Sequence, residues 1–384
     1  MNKVVPVSQV RSVNKVSSIL ALFDAPEARD VERALAEFRA GRPVVLLSDD
    51  RALLVLHVEA LGQRIVEGLA SFAPGQARLV LPAARLRRMG LKGRQQAGVL
   101  AFPTPDAARV QALAFGTRLK VDAPVAPASA LDEAALELAR LALLAPAIYA
   151  LPLDTSLLTP DLIQIEAEAV AAYRAQRAVK LELTARAPVP LEFARECEFV
   201  VFRGGEGLKD QVAVIVGKPD PAKPVAIRLH SACLTGDLFG ALHSDAGDQL
   251  RASVKAMAEG DGGVLLYLDQ EGRGNGIANS LRAYRLQGQG WDTYDSDEVL
   301  GFGQDQRRFD FAAEMLRQLG YTHVRVMTGN PLKLKALEAA GLEVSREAVA
   351  EAHAVTDKPG ERAGQKTGHV IELDAMVAHA PPRD

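Results

Sequence analysis

Residues Gly263–Leu268 read GVLLYL, without a single charged or amide side chain to alternate against the apolar ones. A strand of that kind is buried on both faces, which calls for a sheet containing parallel strands with helices packed on either side. Asp269-Gln270-Glu271-Gly272-Arg273-Gly274-Asn275-Gly276 follows at once, and residues 277–287 then show helical spacing. Strand, glycine-rich turn and helix start together aim free backbone N–H groups and the positive end of a helix dipole at one place. The layout recurs near the end of the chain. His323–Met327 reads as a strand, Thr328-Gly329-Asn330 as a loop, and Pro331 opens a helix with Asn330 as its N-cap. Lys333 falls in the first turn of that helix, where a cation opposes the dipole. An anionic partner accounts for that position; a solvent-facing lysine is the bland alternative. Two such loops in one half of a chain predict a polyphosphate ligand, of which a nucleotide is one kind. Within the first loop Glu271 can read the N–H edge of a purine, and Arg273 can grip a phosphate through two parallel donors.

Strands and helices alternate elsewhere too. With 384 residues the chain exceeds one ordinary core. The expected architecture is α/β with two domains, each a mixed sheet with flanking helices, at residues 1–185 and 186–384. In the first, a helix over 32–40 is stopped by Gly41-Arg42-Pro43 and followed by a strand over 44–47. Further helices are expected over 131–144 and 162–178, with the Ala/Pro-rich 184–190 as a linker. In the second, strands are expected over 211–216 and 225–229 and a helix over 249–258. The acidic run 292–298 reads as a solvated loop, and Asp305 and Arg307, two apart, read equally well as an acid–base and phosphate pair.

The net charge of −3 gives no general attraction to a nucleic-acid backbone, so nucleic acid is not an expected partner. Two cysteines, Cys197 and Cys233, cannot build a disulfide framework, which fits a reducing compartment. No apolar run approaches membrane-spanning length. The expectation is a cytoplasmic protein without membrane contact.

The densest chemistry lies in 226–250, where Arg228, His230, Ser231, Cys233, Thr235, Asp237, His243, Asp245 and Gln249 crowd together. So many groups that are costly to bury unpaired mark the rim of an active site.

Taken together, R-L-H-S-A-C-L-T-G-D, Q-E-G-R-G, L-R-A-Y-R-L-Q, D-T-Y-D-S-D-E-V-L-G-F, D-Q-R and T-G-N-P-L-K resemble, in order, the motifs of GTP cyclohydrolase II. The resemblance covers about 190–344. It implies conversion of GTP to a diaminopyrimidine nucleotide, formate and pyrophosphate at the head of riboflavin biosynthesis. By motif, Arg228 contacts the triphosphate, Gln249 and Glu271 select guanine, and Arg273, Thr293, Thr328 and Lys333 hold the nucleotide. Asp305 accepts a proton, Arg307 assists or receives attack at the α-phosphate, and Tyr284 belongs to ring opening. Mg²⁺ bridges the phosphates, Zn²⁺ activates water, and the members are homodimers. The order of helix, G-R-P-V-V, strand and D-D-R in the first hundred residues resembles 3,4-dihydroxy-2-butanone 4-phosphate synthase. However, the apolar 52–56 that follows cannot supply oxygen ligands to magnesium. A degenerate domain of that kind implies scaffolding or dimerisation; Asp49 and Asp50 read as a solvated turn or as residual ligands.

One departure bears on the chemistry. The family's three zinc cysteines correspond here to Cys233, Ser244 and Ala246, and neither hydroxyl nor methyl replaces a thiolate. Cys233, His243 and Asp245 form a conceivable substitute set. Three readings follow: a cyclohydrolase with an altered metal site, a GTP-binding enzyme that releases only pyrophosphate, and a non-catalytic regulatory or partner protein.

Overall fold

The computed structural model describes residues 26–177, 181–204, 210–242, 244–303, 306–328 and 330–347. They form two mixed seven-stranded sheets flanked by helices, the expected two-domain α/β architecture.

The first sheet contains β1 (Val44–Ser48), β2 (Arg51–His57), β3 (Arg78–Leu81), β4 (Gly98–Ala101), β5 (Val125–Pro127), β6 (Ile148–Leu153) and β7 (Ile163–Glu166). Their order is β5-β4-β3-β6-β2-β1-β7. Its central strands are apolar on both faces along their middles because they feed two cores with period two. Leu53 and Val55 join one core, while Leu54 and Leu56 join the other. Asp49 and Asp50 lie in the exposed turn between β1 and β2.

The second sheet contains β8 (Leu181–Pro188), β9 (Cys197–Gly204), β10 (Gln211–Val216), β11 (Val225–Ser231), β12 (Gly263–Leu268), β13 (His323–Met327) and β14 (Glu343–Glu347). The order is β14-β13-β11-β12-β10-β9-β8. β12, β11, β13 and β14 run parallel. The segments leaving β11, β12 and β13 therefore emerge at one edge of the sheet, where ligands of open α/β sheets bind. β12 fills cores on both faces, with Leu266 and Leu268 on one side and Leu265 on the other.

Three local expectations are corrected. Among the described residues of the expected 162–178 helix, only Ala167–Arg177 is helical; Ile163 and Ile165 belong instead to β7, paired parallel to β1. Residues 184–188 of the expected linker belong to β8, an exposed edge strand held to β9 by backbone hydrogen bonds. The acidic run is a helix, Thr293–Val299, capped where Asp292 accepts a hydrogen bond from the Asp295 amide at 2.6 Å.

The two halves meet through Arg85, which is 2% exposed. Its guanidinium donates to the carbonyls of Leu113 (2.9 Å), Gly116 (2.6 Å) and, across the junction, Val299 (2.8 Å). Burial pulls its pKa down to about 10.

Candidate active site

In the middle of β11, Arg228 is fixed from two sides. Nη1 donates to the Met327 carbonyl at 2.9 Å, and Nη2 to Oε1 of Gln249. Gln249 in turn donates to Asp245 Oδ2 at 3.1 Å, from the helix Ala246–Glu259. Beside this chain stands a hub to which the sequence assigned no role. Asp237 lies 3.0 Å from His230 Nε2 and accepts from the Tyr267 hydroxyl at 2.9 Å and the Cys233 amide at 3.0 Å. His230 also stacks on Tyr267, with centroids 5.4 Å apart. Burial opposes the charge on Asp237, but the hydrogen bonds from His230, Cys233 and Tyr267 outweigh it and hold the carboxyl below its ordinary value. This hub fixes where Cys233 begins its helical turn.

The Cys233 thiol is 3.4 Å from the Ser244 hydroxyl and 3.7 Å from that of Thr235, which lies 3.4 Å from the Tyr284 hydroxyl. Segments 233 and 244 thus come together, carrying one thiol and two hydroxyls; Ala246 contributes only a methyl. Among the described residues no group of three or more His, Cys, Asp and Glu side chains could hold a metal ion. Asp245 is committed to Gln249, and His243 lies outside the described residues. The described donors around Cys233, one thiol and two hydroxyls, do not fit zinc, which is held by thiolate, imidazole or carboxylate.

The glycine-rich turn after β12 is tightly built. Gly272 has φ +59°, and a Cβ there would stand 1.9 Å from the Ser280 hydroxyl, so no side chain fits. Arg273 adopts the same left-handed conformation at φ +58°. Its guanidinium binds Asp297, donates to the Thr293 carbonyl at 3.1 Å and lies over the Tyr294 ring at 5.4 Å. Glu271 accepts from the Leu234 amide at 2.6 Å, and burial, with Asp237 and Asp269 near, raises its pKa. Gln270 bridges two segments, donating to the Ser231 hydroxyl at 3.1 Å and accepting from the Arg308 amide at 2.8 Å.

After β13, Thr328 is buried and accepts from the Asn330 amide at 3.1 Å, while Asn330 caps the helix Pro331–Ala339. Lys333 is 6% exposed, which disposes of a solvent-facing lysine. Its ammonium donates to the Leu229 carbonyl at 3.2 Å and lies 5.8 Å from the Phe309 ring centre; the Arg307 guanidinium is 5.7 Å from the same ring. Phe309 thus gathers two cations around one aromatic ring. Nothing in the residue pattern singled it out, and Gln270 and Asp297, though inside the family motifs, had been given no role of their own. Asp305 lies outside the described residues.

The described site residues fall into four contact groups: Arg228 with Gln249; Cys233, Thr235 and Tyr284; Arg273 with Thr293; Arg307 and Lys333 about Phe309. Glu271 and Thr328 stand at the ends of β12 and β13. Fixed cations at the mouth of a parallel sheet can hold a polyphosphate, and a half-buried carboxylate among them can read a base edge.

The family model described as GTP cyclohydrolase II matches residues 182–349. The GTP cyclohydrolase-2 of Xylella fastidiosa strain Temecula1 is 41% identical over 360 residues, covering 90% of this chain and 88% of that one. The riboflavin biosynthesis protein RibBA of Bacillus subtilis is 47% identical over 138 residues, covering 36% and 35%. A solved structure, RibBX, a two-domain 3,4-dihydroxy-2-butanone 4-phosphate synthase from A. baumannii, aligns over 83% of this chain and 99% of that one, with 17% identity and a TM-score of 0.31.

Proposed function

The chain belongs to the GTP cyclohydrolase II family, and on that premise we propose that it binds magnesium–GTP and hydrolyses it to GMP and pyrophosphate without opening the imidazole ring. The observation that carries this reading is the pairing of Cys233 with Ser244 at 3.4 Å, where a metal-activated water would be needed. Water has a pKa of about 15.7, and a bound zinc brings it to about 7. Without that ion the supply of hydroxide at neutral pH falls by many orders of magnitude, and no side chain among the described residues around Cys233 compensates.

The phosphate chemistry does not depend on that ion. Arg228, Arg273 and Lys333 neutralise the triphosphate, with Thr328 beside them at the end of β13. Arg307 faces the α-phosphate and stabilises the charge that develops as pyrophosphate leaves. Asp305 takes the proton of the attacking water, which adds to the α-phosphorus as the bond to the bridging oxygen breaks. Gln249 and Glu271 select guanine, Thr293 lines the nucleotide pocket, and Tyr284 closes its wall against Thr235. Magnesium arrives with the substrate and shields its charge. We place the protein in the cytoplasm, as a homodimer, on the branch that leads to flavins.

The test is to incubate the protein with magnesium and GTP, with zinc added or chelated, and follow pyrophosphate and formate separately. Pyrophosphate without formate, indifferent to zinc, is the expected result. Formate would overturn the reading in favour of ring opening, and the absence of both products in favour of a binding protein.

Glu271 adds a pH signature. Its raised pKa means that part of the population is protonated above the ordinary carboxylate range, and only the carboxylate accepts from the guanine N–H edge. Affinity for GTP is expected to strengthen as pH rises through that value. Glu271→Gln is expected to weaken it by about 10–100-fold and to remove the pH dependence, as read by calorimetric titration. In the free protein the sign is opposite. Folding stability from a raised carboxyl is fully present below its unfolded pKa and is lost as pH rises through the folded one.

A further inference from the structure

The helix Thr293–Val299 carries both groups that hold Arg273, the Asp297 carboxylate and the Thr293 carbonyl. Its apolar side packs in a small core of its own, where Val299 and Leu300 meet Ala283, Leu286 and Phe302, with Phe115 of the first half against them. Its charged side is gripped by the first half as well. Arg87 Nη2 donates to one oxygen of Glu298 at 2.7 Å and Arg88 Nε to the other at 2.9 Å. Arg88 also pairs with Asp295 and lies 5.8 Å from the centre of the Trp291 ring. Arg87 and Arg88 belong to one short helix, Ala83–Arg88. Just beyond the gripped helix, Gly301 at φ +85° passes so close to Pro82 that a Cβ would come within 2.9 Å of its ring. The contact is close-packed as well as ionic.

We propose that Ala83–Arg88 is the positioning element of the nucleotide pocket: by gripping Glu298 and Asp295 it sets the helix whose Asp297 and Thr293 aim Arg273. Arg87 and Arg88 touch no substrate and act through Arg273. Half-buried pairs that share one carboxylate hold direction better than exposed single pairs, because fixing the second costs less side-chain freedom than fixing the first. The first half of the chain thereby completes the site of the second. The inference rests on the reading that Arg273 binds the nucleotide.

The test uses the full chain with magnesium–GTP. Glu298→Gln keeps the volume and removes the charge that both arginines share. It is expected to raise Kd and KM for GTP about tenfold while kcat stays within about twofold, because Arg307 is untouched. The exchange Arg88→Glu with Glu298→Arg is expected to recover part of the affinity that Arg88→Glu alone loses. In an Arg273→Ala background, Glu298→Gln is expected to add no further loss. Equal affinity in the wild type and Glu298→Gln would overturn the proposal. So would an undiminished loss in the Arg273→Ala background, since the clamp would then act on the fold at large. A wild type that binds no GTP would overturn the reading of the site itself, and that result is distinguishable from both.

Discussion

Replacing Arg307 with alanine is expected to slow pyrophosphate release by about a thousandfold while leaving GTP affinity within a few-fold. The argument is one of differential binding. Arg228, Arg273 and Lys333 meet charge that the triphosphate already carries in its ground state, so truncating any of them weakens binding first. Arg307 stands with Lys333 about Phe309, and its contribution grows as negative charge develops on the α-phosphate and the leaving oxygen. A group whose interaction strengthens only in the transition state shows its loss in kcat. Arg307→Lys keeps the charge but loses the planar fork, so partial recovery is expected. Single-turnover measurement of pyrophosphate at saturating magnesium–GTP reads both variants. A kcat unchanged in Arg307→Ala would remove Arg307 from the chemistry.

The parts of the site legible in the sequence share one property: their cue is local. GVLLYL cannot be a half-exposed strand, and the glycines after it cannot be an ordinary helix entry, so β12 and its loop followed from a dozen residues. Lys333 was conspicuous because it opposes a helix dipole, and its burial against Leu229 answers that conflict. What could not be read has its cause at a distance. β8 offers almost no buried side chains, and its strand character comes from backbone pairing with β9. Ile163 and Ile165 suit a helix start as well as a strand, and the parallel partner β1 more than a hundred residues earlier decides between them. Asp237 stood in the crowded stretch with no role, because Tyr267, which completes its hub, comes from the next strand of the sheet. The Arg87–Glu298 pair spans 211 residues of sequence, and although Glu298 lies within the D-T-Y-D-S-D-E-V-L-G-F motif, nothing local names Arg87 as its partner.

That same separation makes the largest effect on stability an effect on the junction. Arg85→Ala is expected to destabilise the protein by about 3–5 kcal/mol, read as a lower urea midpoint. The loss has two parts. The buried carbonyls of Leu113 and Val299 and the part-buried one of Gly116 would lose the donor that now serves them. The space vacated by one of the largest fully buried side chains would also be left as a cavity unless the halves moved together. Arg85→Met separates these parts, because it refills most of the volume and restores no donor, so an intermediate loss is expected. Val299 closes the helix that presents Thr293 and Asp297, so GTP affinity is expected to fall in both variants even where they remain folded. If Arg85→Ala unfolded at the same urea concentration as the wild type, the junction would be a surface contact, and the first half could no longer be held to frame the second.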